Sequence, residues 1–536
     1  MNKSEPELSA ESQETSAPES LPRPIRWGGA KWIIGIFVGL FLLVRIGSKL
    51  ADNETFVGTA FTACVLFGGM ALAIWWLLFS RAPWKLRLGV IVGVAALASM
   101  FRIQGFSGGF VPTIVFRWKQ AVEPERPAGA VANLNLDMGQ ALMATELDWP
   151  EFRGPKRDGI VRGTTYSAAW LEPDLLWRIP IGEGWSSFCV LGPLAYTQWQ
   201  EGESEVTVCL QAASGTELWR HVDAARFDEA MGGPGPRATP TYADGRLFVQ
   251  GATGILSCLD PKTGAVLWSV NILDDAKAGN IQWAMSGSPL VTGDRVIVSP
   301  GGTDNASLIA YDVATGEQVW KAGKAIASYS SPQISSLGGT EQILIFNGIG
   351  IHGHDPDNGE LLWNHDFTTG PKICVAQPGV VDGSSVLLSL GYGVGSLMVD
   401  VAEKEGAWIA TERWKSRRLK SKFNDFVIRD GHAYGLDEGI LTCIKLDSGE
   451  RAWKGIRCGY GQLILIQDTL LILSESGEVI FAKADPEEAQ ELGRFKAIDG
   501  KTWNHPVIAN GLLFVRNASA AACFKLAEIS APSEGE

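Results

Sequence analysis

The chain has 536 residues, 46% of them hydrophobic and 20% charged, an ordinary globular balance with enough apolar content for more than one core. A formal net charge of -13 excludes a nucleic-acid partner, since no basic stripe is present to displace counterions from phosphates. The eight cysteines, at 64, 189, 209, 258, 374, 443, 458 and 523, include no CxxC and no close Cys-His spacing, so no metal site is expected from them.

In chain order, residues 1–30 carry glutamate, serine and proline with almost no large apolar residue, which predicts a disordered cytoplasmic tail. Three apolar stretches follow and predict transmembrane helices at about 31–48, 56–80 and 85–102. Only the second reaches, uninterrupted, the ~20 residues needed to cross a bilayer; the others span if their flanking residues snorkel. A cleaved signal peptide is the competing reading of the first, and the long acidic tail before it argues against that. Arg23, Arg26 and Lys31 precede the first helix, and Arg81, Lys85 and Arg87 fill the turn between the second and third. Placing both clusters in the cytoplasm sends everything after residue 102 across the membrane, so the C-terminal portion is expected in the periplasm, after a linker over 103–147.

From 148 to 530 the sequence repeats, with 531–536 left as a tail. Tryptophans at 177, 219, 268, 320, 363, 414 and 453, with Phe495 in the next place, mark eight units of roughly 45 residues. Several end in closely similar words: LDPKTGAVLW (259–268), DVATGEQVW (312–320), DPDNGELLW (355–363) and KLDSGERAW (445–453). Between them, apolar runs of about five residues broken by Asp-Gly and Thr-Gly turns predict short antiparallel strands. Four strands per unit and eight units predict an all-β, eight-bladed β-propeller. The strand around Trp177 has no strands before it and the last unit lacks a trailing Gly-x-x-x-Trp, so the first is expected to complete the last. In the repeated turn the glycine supplies positive φ, the aspartate caps, and the tryptophan wedges between blades. Cys209, Cys258, Cys443 and Cys523 share one position of the repeat, one that wants a small buried residue, so free structural thiols are expected.

This Ala-x-Asp-x-x-Thr-Gly-x-x-x-Trp repeat resembles the pyrroloquinoline quinone (PQQ) repeat of quinoprotein alcohol dehydrogenases and of BamB-like outer-membrane assembly lipoproteins. The segment DWPEFRGPKRDGIVRG (148–163) looks like the motif that opens PQQ-like propellers of the membrane-anchored, planctomycete-type kind. The resemblance implies the fold but leaves the activity open, because the family holds both enzymes and scaffolds. In its enzymes PQQ is stacked between a tryptophan and a disulfide of two adjacent cysteines, with calcium held by carboxylate and amide oxygens and an aspartate as base. No two cysteines of this chain are adjacent.

Aligning the starts of the inner strands gives a polar ring of Ser187, Thr239, Ser288, Ser331, Gln377, Asp425, Gly461 and His505. It changes identity from unit to unit, as a binding surface on a structural repeat would. Candidate ligand-binding residues there are Trp185, Arg237, Trp283, Gln377, Asn424, Asp425, Trp503 and His505, with Asp425 the one candidate base. Tryptophans in such places more often pack, one carboxylate with one amide is a thin calcium shell, and His352 with His354 lacks a third ligand. The basic run SRRLKSK (416–422) reads as a solvated loop. Two functions follow. The first is a membrane-anchored binding or scaffold module, not an enzyme, with a protein or small molecule at its funnel. The alternative is a PQQ- and calcium-dependent dehydrogenase that oxidises an alcohol or sugar and passes electrons to membrane quinone.

Overall fold

A computed structural model describes residues 25, 27–50, 57–118, 143–163, 173–302 and 304–526. Most of the expected tail at 1–30, that at 531–536 and much of the expected linker lie outside the described residues, and residues 28–30 of the first belong to a helix. Helices α1 (Gly28–Leu50) and α2 (Val57–Leu78) pack together, and both are long and apolar enough to cross a membrane. The third apolar segment is a helix too, α3 (Trp84–Ser99), but with 16 residues it ends short of the expected residue 102. At 1.5 Å per residue it covers about 24 Å, less than the ~30 Å of a typical hydrocarbon core. Its apolar run does not continue as helix because Phe101–Phe106 (β1) turns back at Ser107–Gly109 to pair with Pro112–Phe116 (β2). A hairpin therefore stands inside the stretch expected to be linker.

Seven four-stranded sheets and one five-stranded sheet make up the remainder among the described residues. Neighbouring strands are antiparallel except where Ile160–Val161 (β3) joins a sheet alongside Leu465–Ile466. The expected closure is present: Asp174–Pro180 (β4) pairs with Ala520–Lys525, bringing the first repeat strand into the last sheet. A five-residue helix, Ile272–Ala276, capped by Asn271, is the one helix among the described residues of the repeat region.

Each repeated word fastens one sheet to the next. Within a sheet, Trp268 stands opposite Cys258, Trp219 opposite Cys209, Trp453 opposite Cys443 and Trp177 opposite Cys523. A small partner there leaves room for the indole to lean onto the following sheet. Trp268 lies on Gly316 and donates from Nε1 to Val313 O at 3.0 Å; Trp219 does the same with Gly264 and Pro261 O, also at 3.0 Å. Gly264 and Gly316 have φ of +73° and +74°, and a Cβ on either would collide with the ring, so glycine serves both turn and packing. Asp260 and Asp312 accept from the backbone N–H and the hydroxyl of the threonine before each glycine, closing the turn. Burying one such indole contributes about 5 kcal/mol of transfer free energy. The cores accordingly lie between sheets, and all eight cysteines are free, seven of them buried.

Candidate functional site

At the axis, the polar ring expected from the sequence is a belt of hydrogen bonds. Ser187 N donates to Thr239 Oγ1 (3.1 Å), Thr239 N to Ser288 Oγ (2.9 Å), Ser288 N to Ser331 Oγ (2.9 Å) and Ser331 N to Gln377 Oε1 (2.8 Å). Gln377 N then donates to Asp425 Oδ1 (2.6 Å) and Asp425 N to Gln462 Oε1 (3.3 Å). Ser187 Oγ returns the belt to His505 O at 2.7 Å. Six of these side chains, from Thr239 to Gln462, accept the N–H of the ring member in the preceding sheet, so most of the ring joins sheets and is not a free binding surface. The member expected as Gly461 is Gln462, whose amide also donates to Phe423 O and Trp503 O.

The segment 148–163 supplies the floor. Arg153, at φ 62°, donates to Phe426 O (2.7 Å) and stands 3.3 Å from Asp425 Oδ2. Arg157, at φ 52°, donates to Ser288 O, Pro289 O and Pro332 O, and pairs with Glu151 at 2.6 Å. Two buried guanidinium groups thus tie three sheets at the axis, a fork geometry lysine lacks.

Above the floor lies a chamber of about 200 Å³. Trp185, Arg237, Trp283, Asp425, Trp503 and His505 from the expected set line it. Gln377 and Asn424 do not: Gln377 serves the belt, and Asn424 accepts from Lys422 N and donates to Leu436 O. Sequence reasoning missed Phe152, Tyr329, Tyr392, Phe423 and Lys422 in the lining. Trp503 sits between Trp185 and Phe423 at centroid distances of 4.9 and 4.7 Å.

Burial alone would push the Asp425 carboxyl up, but Arg153, the His505 hydrogen bond and the Gln377 N–H together hold it below the usual carboxylate range. His505 Nε2 lies 2.9 Å from that carboxylate, and burial lowers the imidazole below its ordinary value. An ionised acceptor facing a neutral ring makes Nε2 the protonated nitrogen. Arg237 is held by Gly233 O and Gly235 O and lies 4.7 Å from the Phe227 ring; burial lowers it to about 10.

The basic run 416–422 is not a solvated loop. Leu419, Lys420, Ser421 and Lys422 are buried; Lys420 pairs with Asp437 at 2.9 Å, and Lys422 points into the chamber mouth. The run of basic residues gives no sign of this, because only the fold supplies the buried carboxylates. His352 and His354 are both buried on Gly350–His354; His354 Nδ1 lies 2.8 Å from Gly359 O. Among the described residues no group of three His, Cys, Asp or Glu is placed to hold a metal.

Sheets succeeding one another around an axis, with a chamber at the centre, define a β-propeller with an axial pocket. Residues 202–455 match the family model described as outer membrane protein assembly factor BamB. The BamB of Yersinia pestis is 22% identical over 296 residues, 52% of this chain and 71% of that one. Quinohemoprotein alcohol dehydrogenase ADH IIB of Pseudomonas putida is 29% identical over 145 residues, 25% of this chain and only 20% of the relative. The crystal structure of quinohemoprotein alcohol dehydrogenase from Comamonas testosteroni superposes with a TM-score of 0.51 at 13% identity, covering 73% of this chain and 82% of that one. The chain thus carries PQQ-like repeats in a β-propeller, and is similar to BamB and to the quinoprotein alcohol dehydrogenases.

Proposed function

We propose that this protein is a membrane-anchored binding module: an eight-bladed propeller whose axial chamber takes a small, flat ligand or an aromatic side chain of a partner. One observation carries the reading. The groups best suited to chemistry are already occupied by one another, while the walls are aromatic. Asp425 Oδ1 accepts from Gln377 N, and Oδ2 faces both His505 and Arg153. A calcium ion does not fit there, because a guanidinium at 3.3 Å would repel it and Asn424 Oδ1 is engaged by Lys422 N. Arg237 is likewise engaged, facing Glu229 at 3.6 Å, so the aromatic walls are what remains for a ligand and they suit a planar group.

The dehydrogenase reading draws on the same walls, since three tryptophans line the chamber beside a carboxylate. The two readings part on one experiment. Purified protein is incubated with PQQ, with and without Ca²⁺, and followed by thermal shift and by dye reduction over a panel of alcohols and sugars. Turnover overturns the binding-module reading; a shift without turnover, or binding of aromatic ligands alone, supports it.

Three spanning helices with the propeller in the periplasm fit this function, and the hairpin supports the third crossing. Thr62 Oγ1, near the start of α2, donates to Phe110 O at 3.1 Å, while β1 begins two residues after α3 ends. Thus α3 returns the chain to the level at which α2 began. Cysteine labelling of residues flanking each helix in intact and permeabilised cells tests the topology.

A further inference from the structure

We infer that the β1–β2 hairpin is a gate in the chamber mouth, and that α2 holds it there, so that access to the ligand site is coupled to the membrane helices. The inference rests on the proposed binding role of the chamber.

Two-stranded ribbons are marginal alone, so this one takes its stability from what it touches. On the propeller side, Glu475 Oε1 accepts from Gly108 N at 2.6 Å and Lys422 Nζ donates to Gly108 O. The Tyr460 ring lies against Gly108 so closely that a Cβ there would overlap it. Lys501 Nζ donates to Phe106 O at 3.3 Å. The Lys422 ammonium stands 4.1 Å from the Phe110 ring and 5.0 Å from Tyr392, an attraction that grows as water is removed. Ser107, Gly108 and Phe110 thereby line the chamber as part of its roof.

On the membrane side, Thr62 holds Phe110 O, and Gly58 sits against Gly109 O with no room for a side chain. The tip is therefore clasped between α2 and the propeller. The residues that grip it also set the aromatic wall. Glu475 Oε1 accepts from Trp503 Nε1 at 2.9 Å, and Lys501 Nζ lies 4.0 Å from the Trp503 ring and 5.1 Å from Trp185. Displacing the tip frees two charged groups that fix the wall, and a ligand that moves the wall loosens their hold on the tip. At about 200 Å³ the gated chamber is smaller than the ~300–1,000 Å³ of sites for drug-sized ligands, so a larger ligand requires the tip to leave.

The test needs no ligand, which separates its failure from failure of the binding role. In full-length protein in lipid nanodiscs, Cys64→Ala removes the one cysteine that is not buried, and Ser286→Cys places a thiol in the chamber wall. The rate of its reaction with a small maleimide is then compared across hairpin and helix variants. Gly108→Leu, which cannot seat against Tyr460, is expected to raise the rate roughly ten-fold by opening the mouth. Gly58→Val and Thr62→Val, both on α2, are expected to raise it in the same direction with the circular dichroism of the propeller unchanged. An unchanged rate in Gly108→Leu overturns the gate. A raised rate there with no change in either α2 variant overturns the coupling.

Discussion

Asp425 and Arg153 meet 3.3 Å apart at the floor of the funnel, both almost wholly buried, one from the sixth sheet and the other from the segment that precedes the first. The contact joins the beginning of the propeller to its far side, and it exists only when the ring is closed. Removing one partner strands the other charge in a dry site. Asp425→Asn is expected to cost about 3–5 kcal/mol, the range for a broken buried pair. Replacing both together, Arg153→Met with Asp425→Leu, should recover much of it. Urea unfolding followed by tryptophan fluorescence measures both; a single variant within about 1 kcal/mol of the parent would show that the pair contributes little.

Trp268 and Gly316 form the other kind of joint. A Cβ on Gly316 would come within 2.6 Å of the indole, and its φ of +74° is one a side chain resists. Gly316→Val combines a clash with backbone strain and is expected to destabilise by several kcal/mol. Trp268→Phe keeps part of the apolar face but loses the bond to Val313 O and some ring volume, so about 2 kcal/mol is expected, less than for Gly316→Val. Similar losses from the two variants would contradict a packing role for the glycine.

How much of this was legible in the sequence depended on whether it repeats. LDPKTGAVLW recurs, so its turn, its glycine and its wedge could be read by comparing copies. The strand that closes the last sheet was visible for the same reason, as a unit missing one part at each end. Arg153, Arg157, Lys422 and Glu475 occur once each in their roles, and nothing near them in sequence announces a partner hundreds of residues away. The polar ring was found at seven of its eight positions, Gly461 falling one residue short of Gln462, but most of it joins sheets, since hydrogen bonding between sheets also varies from unit to unit. Hydropathy showed the third apolar segment but not that its last residues become a strand, because Phe101, Ile103 and Phe106 suit either state.

His505 donates to Asp425 from Nε2, which leaves Nδ1 as the unprotonated nitrogen. Nitrogen NMR of the imidazole is expected to show this single neutral tautomer at pH 7. Asp425→Asn removes the negative charge that favours imidazolium, so the already lowered pKa of His505 should fall further. A rise on that substitution would mean that the carboxylate does not carry its charge.

Glu205 makes a separate prediction about pH. It is buried, accepts from Ala252 N with both oxygens at 3.1 Å, and is raised by burial from 4.5 to about 7. Between those values the unfolded chain has released the proton that the folded protein still holds. Fewer protons bound in the unfolded state means that stability falls as pH rises through this window and levels off above it. The loss is about 3 kcal/mol when complete. Glu205→Gln keeps an oxygen for Ala252 N and carries no charge, so its stability should vary less between about pH 4.5 and 7 and exceed that of the parent above pH 7. Thermal unfolding of both proteins across this range tests it: equal slopes would show that Glu205 ionises normally in the fold.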